Sequence, residues 1–494
     1  MKQLPSSLYT AQSSRELDRV AIEELNIPGY TLMERAGKAV FDLLQQEYSL
    51  MKRILVCCGA GNNAGDGYVV ARLAARAGFH VDVISMVESE KLQGDAKQAS
   101  HDWRALGRQL LHYKPGVVAN YDVIVDALLG TGLQRPLEGK WLDLVVEINQ
   151  SPAPVIAVDI PSGLNADTGT LLGAAIEASH TVSFIGLKQG LFTHQARDYC
   201  GEILFDDLQV PADVYLKVQP DARLLQWDES KHLFQPRKHN SHKGQYGHVL
   251  VIGGDHGMAG AARMAAEAAL RCGAGMVTVI TRPEHVGAML TACPELMVVG
   301  CEADIPSGIL AKASVIAIGP GLGQQAWGSR LLRQVLQTSL PKVLDADALN
   351  LLDVNDGPRE DWILTPHPGE AGRLLEQATA DIQVDRFASV TSLQELYGGT
   401  VVLKGSGTLI KSDSQQIALC PYGNPGMASA GMGDVLTGVI AGLLAQGLKP
   451  EEAASLGVLV HAMAGDRVAA DGQRGMLATD LLQHIRQLVN PITL

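Results

Sequence analysis

The sequence predicts an α/β protein of two domains, each with a largely parallel sheet covered by helices on both faces. Three observations lead to this prediction. Short apolar runs rich in Val and Ile alternate with Ala- and Leu-rich helical patterns along almost the whole chain. The 494 residues suffice for two or three domains of ordinary size. A polar, proline-containing segment, from Val210 to Gly244, separates the two stretches of alternating pattern.

Two groups of apolar runs are predicted to be buried strands. Those of the first half are RILVCC from Arg53, HVDVISM from His80, YDVIVDA from Tyr121, PVIAVDI from Pro154 and HTVSFI from His180. Those of the second half are GHVLVIGG from Gly247, MVTVI from Met276, ASVIAIGP from Ala313, PKVLDAD from Pro341, DWILTP from Asp361 and GTVVLKG from Gly399. Helices that end at glycine are predicted within 66–78 and 261–275. We place the boundary near Pro220, with domains at 1–220 and 221–494.

Composition and charge exclude several classes of function. The chain has 40 basic and 53 acidic residues, a formal net charge of −13, which argues against a nucleic-acid partner. Seven cysteines without CxxC or HExxH spacing predict buried free thiols rather than a zinc site. The apolar stretches are too short and too rich in glycine to span a membrane, and no signal-peptide core is visible, so we expect a cytoplasmic protein. The 52 glycines predict many tight turns or close backbone approaches.

The first predicted strand runs directly into GAGNNAGDG, Gly59–Gly67. Four glycines between a strand and a helix let backbone amides approach a phosphate at the helix N-terminus. The glycine pattern alone fits a tight structural turn equally well, but Asn62 and Asn63 add donors and oxygen ligands. Asp66 either belongs to this site or caps the following helix.

Two more strands of the first half end in polar motifs, DALLGTGLQRP from Asp126 and VDIPSGLNADTG from Val158. Because parallel sheets bind ligands at the carboxyl ends of their strands, we expect four polar side chains to face one crevice. They are Asn63, Asp126, Asp159 and Ser162. Such oxygens suit a bound cation, or a general base beside a hydroxylated substrate. The alternative is that each aspartate caps its own turn; three converging loops favour a site.

GNNAGDG, VDALLGTGL and VDIPSG, with MERAG upstream, resemble the NAD(P)H-hydrate epimerase family, which has a Rossmann-like three-layer αβα fold. The resemblance covers most of residues 1–215 and implies a hydrated nicotinamide dinucleotide as substrate. It implies that potassium (K+) is bound by Asn63, Asp126 and Ser162. The implied substrate contacts are Asn62, Asn63, Ala64, Gly65, Asp66, Gly130, Thr131, Gly132, Leu133, Gln134, Arg135, Pro136 and Asp159. Asp126 is the best candidate for the base of epimerisation. Ala64 departs from the family's usual glycine, which matters if this position needs a positive φ.

The most informative segment of the second half is GNPGMASAGMGDVLTGVIAGLLAQG, from Gly423. A glycine-rich turn leads there into an apolar helix with Asp434 in its first turn. Amides from Ala430 to Gly433 would form an anion hole for a transferring phosphoryl group, and Asp434 would take a proton from the attacking hydroxyl. The alternative is that Asp434 only caps the helix, but the preceding glycine run favours a catalytic role.

Three further strand ends accompany this segment: GPGLG from Gly319, TPHPGEAGRL from Thr365 and LKGSGT from Leu403. No Walker motif GxxxxGK[ST] occurs. Together these motifs resemble the ribokinase-like superfamily, and more closely its ADP/ATP-dependent NAD(P)H-hydrate dehydratase branch, over about residues 225–490.

This second resemblance implies two sets of contacts. Those to ADP are Lys404, Gly405, Ser406, Gly407, Thr408, Asn424, Pro425, Gly426, Met427, Ala428, Ser429, Ala430, Gly431, Met432 and Gly433. Those to the hydrate are Ala261, Gly321, Gly323, His367, Pro368, Gly369, Glu370, Ala371, Gly372, Arg373 and Asp434. His367 is equally consistent with a packed histidine. Arg373 is either a phosphate clamp or a surface residue.

The two resemblances in one chain imply repair of NADHX and NADPHX, the hydrates of NADH and NADPH. The first domain would interconvert the R and S epimers, and the second would dehydrate the S form with ADP, giving AMP and phosphate. Mg2+ is expected to accompany the ADP. One alternative is a vitamin-precursor or sugar kinase with a regulatory dinucleotide-sensing N-terminal domain, and another is a non-enzymatic binding scaffold. We also expect a homo-oligomer.

Overall fold

Parallel strands and the helices between them make up both halves of the chain. The computed structural model describes residues 4–413 and 416–491, and the chain divides between Arg223 and Leu224 into two units. The strands that begin before this division are β1 (Ser7–Tyr9), β2 (Arg53–Cys58), β3 (His80–Ser85), β4 (Leu110–Leu111), β5 (Val123–Ala127), β6 (Val155–Val158), β7 (His180–Phe184), β8 (Leu187–Lys188), β9 (Glu202–Asp206) and β10 (Ala222–Leu224). The α-helices are α1 (Ala11–Arg19), α2 (Gly29–Tyr48), α3 (Asn62–Arg76), α4 (Gly94–Arg104), α5 (Lys140–Gln150), α6 (Ala196–Tyr199) and α7 (Asp213–Lys217).

The first unit is built on a seven-stranded parallel sheet in the order β4-β3-β2-β5-β6-β7-β9. Alternate residues of β2 enter two different cores: Ile54 and Val56 pack with α2 and α3, and Leu55 and Cys57 pack with α5. Both faces are therefore covered. Counted along the chain, the strand order is 3-2-1-4-5-6-7, which is that of doubly wound nucleotide-binding sheets.

The second unit repeats this plan. Its strands are β11 (His248–Ile252), β12 (Met276–Thr281), β13 (Met297–Gly300), β14 (Val315–Ile318), β15 (Lys342–Leu344), β16 (Trp362–Leu364), β17 (Thr400–Leu403), β18 (Thr408–Ser412) and β19 (Ile417–Cys420). Its α-helices are α8 (Trp227–Ser230), α9 (Ala259–Cys272), α10 (Val286–Ala292), α11 (Ser307–Leu310), α12 (Ala326–Leu336), α13 (Ala346–Leu351), α14 (Pro368–Leu375), α15 (Thr379–Val384), α16 (Arg386–Tyr397), α17 (Met432–Ala445), α18 (Pro450–Ala469) and α19 (Leu481–Leu488).

Seven parallel strands of this unit lie in the order β13-β12-β11-β14-β15-β16-β17, and the antiparallel strands β18 and β19 follow. All predicted strands are present, and the predicted fold class, two α/β units with parallel sheets, is confirmed. The sequence patterns missed strands such as β9 and β13. Both are largely half-exposed or exposed, so they lack the continuous apolar run of a buried strand.

The segment between Val210 and Gly244, which we expected to separate the two domains, includes the division between the two units. It contains α7, β10 and α8, because its scattered apolar residues, including Val214, Val218 and Leu224, are buried. All seven cysteines are buried and free, as predicted. Within 4–413 and 416–491, no helix combines the length and the apolar character that crossing a membrane requires.

Helices α9 and α17 pack together at backbone distance, and this contact sets the position of the glycine-rich segment. A Cβ atom on Gly438 would lie 2.0 Å from the carbonyl oxygen of Ala265. One turn later, a Cβ atom on Gly442 would lie 2.9 Å from the carbonyl oxygen of Ala269. Glycine at both positions of α17 allows this approach, and Asp434 lies one turn before Gly438 on the same helix.

We expect Gly438→Ala to lower the free energy of unfolding of the second unit by about 1–3 kcal/mol, because the added methyl group forces the two helices apart. Urea unfolding of the full chain, followed by circular dichroism, measures this change. Gly287→Ala in α10 is the matched control, since its new Cβ atom meets nothing within 4 Å. The control should be neutral or stabilising by up to about 1 kcal/mol. Equal stabilities of the two variants would contradict the backbone contact.

Candidate active sites

The first candidate site begins where β2 runs into α3. Helix α3 starts at Asn62, so the predicted loop Asn62–Asp66 is itself the first helical turn. Asp66 therefore lies inside the helix, and the alternative that it caps the helix is wrong, because Gly61 occupies the cap position. Ala64 is fully buried and is absent from the residues with positive φ, so the methyl group at this position causes no backbone strain.

Asp126 is the best-defined side chain of this site. It lies near the end of β5, opposite Cys57 of β2, and is fully buried. The Ser162 hydroxyl donates to its Oδ1 at 2.7 Å, the Ser162 amide donates to its Oδ2 at 2.8 Å, and the Leu128 amide donates to its Oδ1 at 3.2 Å. Burial raises the pKa of Asp126 to about 6, although the Ser162 and Leu128 hydrogen bonds oppose this shift.

Asn63 carries a buried amide group with unsatisfied hydrogen-bonding capacity. Neither its Oδ1 nor its Nδ2 has a hydrogen-bond partner among the described residues. The amide lies beside Gly130, where a Cβ atom would be 3.7 Å from Asn63 Oδ1. The amide of the preceding residue, Leu129, donates to Ser162 Oγ at 2.9 Å. Buried polar groups rarely remain unpaired, so Asn63 Oδ1 and the Asp126 carboxylate fit a bound cation.

Asp159 lies directly after β6 with φ +68 and forms an ion pair with Lys188. Two more carboxylates lie close by, those of Asp18 and Asp66. Burial raises the pKa of Asp18 to about 6, and Lys188 partly opposes this rise. Burial, followed by the charges of Asp159 and Asp18, raises the pKa of Asp66 well above its usual range. Three carboxylates from three elements thus lie around one ammonium group.

The remaining predicted residues of the first site follow β5 as an irregular loop, Gly130–Pro136. Gln134, Arg135 and Pro136 are exposed, and Gly130 and Thr131 are half-buried. The structure brings this loop to the same sheet edge as Asp126 and Asn63. The sequence patterns missed Lys188, although one signal was present: Lys188 is a charged residue within the apolar run SFIGLKQGLF.

The second candidate site centres on the start of α17. Gly431 caps this helix with φ +90, and a Cβ atom there would lie 2.6 Å from Met264 Cε. Asp434 lies in the first turn and is half-buried. Burial and then the neighbouring charge of Asp345 raise its pKa to about 7, while Lys404 opposes the shift. A carboxylate with this pKa suits general-base catalysis near neutral pH.

Asp345, which the sequence patterns missed, holds Lys404 beneath the glycine-rich segment. Lys404 Nζ lies 2.6 Å from Asp345 Oδ1 and 3.7 Å from Glu370 Oε2, and the Thr437 hydroxyl donates to Asp345 Oδ2 at 2.8 Å. Burial opposes ionisation of Asp345, yet its pKa is lowered because Lys404 and Thr437 stabilise the carboxylate. Asp345 directly follows β15, as Asp159 directly follows β6, so it too is an aspartate at a strand end.

His367, Glu370 and Arg373 all shape the start and the first turns of α14. His367 Nδ1 accepts hydrogen bonds from the Gly369 and Glu370 amides at 3.0 and 3.2 Å, and Glu370 Oε2 accepts one from the His367 amide at 2.7 Å. The alternative of a packed histidine is wrong, because the ring is 56% exposed. Arg373 Nη2 donates to the carbonyl groups of Leu349 and Leu352, at the end of α13.

The glycines after β14 lie against the loop after β11, at the point where the strand order reverses. A Cβ atom on Gly321, whose φ is +58, would lie 2.8 Å from Met258 Cβ and 3.2 Å from Ala261 Cβ. A Cβ atom on Gly323, whose φ is +71, would lie 2.5 Å from Asp255 Oδ2. The structure thus brings Gly321, Gly323 and Ala261 together at the crevice where sheets of this order bind ligands.

Two charged side chains order the segments predicted to bind ADP. Arg386, 1% exposed, donates hydrogen bonds to the carbonyl groups of Leu403, Lys404 and Gly407. These bonds hold the backbone of the loop Lys404–Thr408 in place. Asp466 accepts from the Gly423 amide and from Asn424 Nδ2, both at 2.9 Å, which anchors the segment Asn424–Gly433. The sequence patterns missed both residues, because each acts on loops that are distant along the chain.

Two solved structures are similar to about half of this chain. A ribokinase-like superfamily protein from Enterococcus faecalis is 33% identical, with a TM-score of 0.49, over 54% of this chain and 94% of its own. The ADP/ATP-dependent NAD(P)H-hydrate dehydratase from Bacillus subtilis, co-crystallised with ATP and Mg2+, is 28% identical, with a TM-score of 0.49, over 54% of this chain and 98% of its own.

Sequence relatives cover both units. The family described as NAD(P)H-hydrate dehydratase matches residues 249–487, and the family described as YjeF-related protein N-terminus matches residues 29–190. A bifunctional NAD(P)H-hydrate repair enzyme of Coxiella burnetii is 50% identical over 98% of this chain and 99% of its own. The enzyme of the same name from Escherichia coli is 45% identical over 99% of this chain and 95% of its own. The chain therefore belongs to the family of bifunctional NAD(P)H-hydrate repair enzymes.

Proposed function

We propose that this chain repairs NADHX and NADPHX in two steps, epimerisation in the first unit and nucleotide-dependent dehydration of the S epimer in the second. The observation that carries the proposal is the presence of both sites in one chain that matches bifunctional repair enzymes over nearly its full length. The division of labour is chemically sensible. A dehydratase that accepts one epimer leaves the other unrepaired unless an epimerase supplies it.

In the dehydration step Asp434 acts as the base. It takes the proton of the ring hydroxyl, whose oxygen attacks the terminal phosphorus of ADP, and AMP leaves. The phosphate ester then breaks at its C–O bond, a proton leaves the adjacent carbon, and the dihydropyridine ring and free phosphate result. Phosphate is a far better leaving group than hydroxide. The amides at the start of α17 and the Lys404 ammonium group face the charge that develops during transfer.

The residues of the second site fit an ion that arrives with the nucleotide. Within 4–413 and 416–491, no group of three or more His, Cys, Asp and Glu side chains could hold a metal ion. Mg2+ commonly binds through nucleotide phosphates with few protein ligands, so this donor set fits Mg-ADP. The bound ion would supply positive charge at the phosphates. Lys404, kept in place by Asp345 and Glu370, adds a fixed cation.

In the epimerisation step we assign the proton transfer to Asp126. The hydroxyl group must leave the ring carbon and return on the opposite face, and a carboxyl group that gives and takes back a proton assists both events. Asn63, Asp126 and Ser162 would hold the potassium ion, which fits the unpartnered Asn63 amide and the fully buried Asp126. When bound, it supplies a positive charge beside the carboxylate and a position for a substrate oxygen. Asp159 contacts the substrate.

The kinase and scaffold alternatives are not favoured. The relatives that match the whole chain are named repair enzymes, not kinases. A binding scaffold has no need of a half-buried carboxylate beside the ion pair of Lys404 and Asp345, which is the arrangement around Asp434. The compartment and the homo-oligomeric state remain expectations from the sequence.

We expect Asp434→Asn to reduce the ADP-dependent recovery of NADH absorbance at 340 nm from its hydrate by about 10²–10⁴-fold, because the general base is lost. Epimer exchange, followed by chromatography without nucleotide, should be unchanged. Asp381→Asn is the matched control, since Asp381 also lies in the first turn of a helix but is exposed. If Asp434→Asn recovers NADH absorbance at the same rate as this control, Asp434 is not the general base.

The pH dependence of dehydration should report the ionisation of Asp434. Burial and Asp345 raise its pKa to about 7, and the base works only when ionised. We therefore expect kcat/KM to rise with pH and to level off above about pH 7. Initial rates between about pH 5.5 and pH 9 with saturating ADP measure this profile. A profile that is flat above about pH 5.5 would contradict the role of a base with a raised pKa.

Asp126→Asn should restrict repair to the S epimer already present in the hydrate mixture. Recovery of absorbance at 340 nm would then stop at that share, whereas the wild-type chain continues to completion. Asp143→Asn in α5 is the control, because Asp143 is an exposed aspartate of the same unit. Complete recovery by Asp126→Asn, at the wild-type rate, would remove Asp126 from the mechanism.

A further inference from the structure

Two strained turns lie side by side at the carboxyl ends of β6 and β7. In the first, the Ile160 amide donates to the Val158 carbonyl at 2.8 Å, around Asp159 with φ +68. In the second, the Gly186 amide donates to the Phe184 carbonyl at 2.5 Å, around Ile185 with φ +52. Three-residue turns with positive φ are rare, and a β-branched residue such as Ile185 strongly disfavours this conformation.

The Lys188 ammonium group joins the two turns. It forms an ion pair with the carboxylate of Asp159, the central residue of the first turn, and donates at 3.1 Å to the carbonyl group of Phe184, where the second turn begins. Its backbone is held in β8, which pairs with β1 through Leu8 opposite Leu187 and Tyr9 opposite Lys188. The strand pairing thus fixes the Lys188 backbone, and the contacts with Asp159 and Phe184 fix its ammonium group.

Strain of this kind persists only when the surrounding structure holds it, and it concentrates at functional sites. Burying an ammonium group is also costly unless it is paired. The ion pair with Asp159 offsets the cost of burying the Lys188 ammonium group. The same ion pair holds Asp159 in its strained turn. Asp18 and Asp66 face the same group and leave the cluster with more carboxylates than cations.

Exposure separates the roles of the two partners. The side chain of Lys188 is 2% exposed and its ammonium group already donates to Asp159 and to the Phe184 carbonyl group, whereas Asp159 is 18% exposed and can meet a further partner. We propose that Lys188 is a positioning residue of the epimerase site, which fixes the Asp159 carboxylate in the strained turn so that it meets the substrate. This inference rests on the proposed function, and in it Lys188 acts only through Asp159.

The test compares Lys188→Met, Asp159→Asn and the double variant in the full chain. The pure R epimer is incubated without nucleotide, and formation of the S epimer is followed by chromatography to separate KM from kcat. We expect Lys188→Met to raise KM by about 10-fold or more with a smaller change in kcat, since the carboxylate loses its position. The double variant should be no worse than Asp159→Asn alone, because Lys188 has nothing left to position.

Two further variants separate positioning from folding. Lys342→Met removes an equally buried, ion-paired lysine of the second unit and should leave the KM of epimerisation unchanged. Lys188→Arg keeps the charge but not the geometry, so it should fold and still raise KM. A wild-type KM in Lys188→Met or in Lys188→Arg, or multiplying effects in the double variant, would overturn the positioning role. A wild-type chain that does not interconvert the epimers would instead overturn the proposed function and this inference with it.

Discussion

Burial of both faces of each parallel sheet is the constraint on which the rest of the structure depends. In β2, alternate residues enter separate cores, so no residue in the middle of the strand meets solvent. Polar groups can reach a ligand only where strands end and the chain turns into the next helix. Both units place their candidate sites at such ends, and both have the same strand order, which opens a crevice beside the first strand of each sheet.

The two sites contain carboxylates that are wholly or partly removed from water, and the structure stabilises each of them differently. Asp126 receives a hydroxyl and two amide hydrogen bonds, and its pKa stays raised. Asp345 and Asp159 each have a lysine partner, Lys404 and Lys188. Within the described residues Asp434 forms no ion pair with a lysine, and burial raises its pKa towards neutrality. The carboxylates assigned to proton transfer are those without a lysine partner.

The sequence patterns located the strands and most candidate residues because these features are local. A continuous apolar run predicts a buried strand, and a glycine or aspartate directly after it predicts a ligand-binding turn. The same patterns placed the start of α3 too late, since Asn62–Asp66 resembles a loop in composition but is helical. They also missed Lys188, Asp345, Arg386 and Asp466. Each of these residues stabilises a loop that is distant along the chain. A sequence can mark such a residue, as the charged Lys188 within an apolar run does, but it does not show which loop the residue contacts.

The sequence by itself determined the two α/β units, the order of the strand-end motifs and the family to which they belong, because strand periodicity and glycine-rich turns depend on neighbouring residues. Only the tertiary structure decided which charges meet. Lys188 reaches Asp159, and Lys404 reaches Asp345, because the chain returns through parallel strands whose ends lie side by side. The environment of Asp126 and Asp434 was decided there too, since desolvation depends on all the elements packed around a carboxylate and not on the motif that contains it.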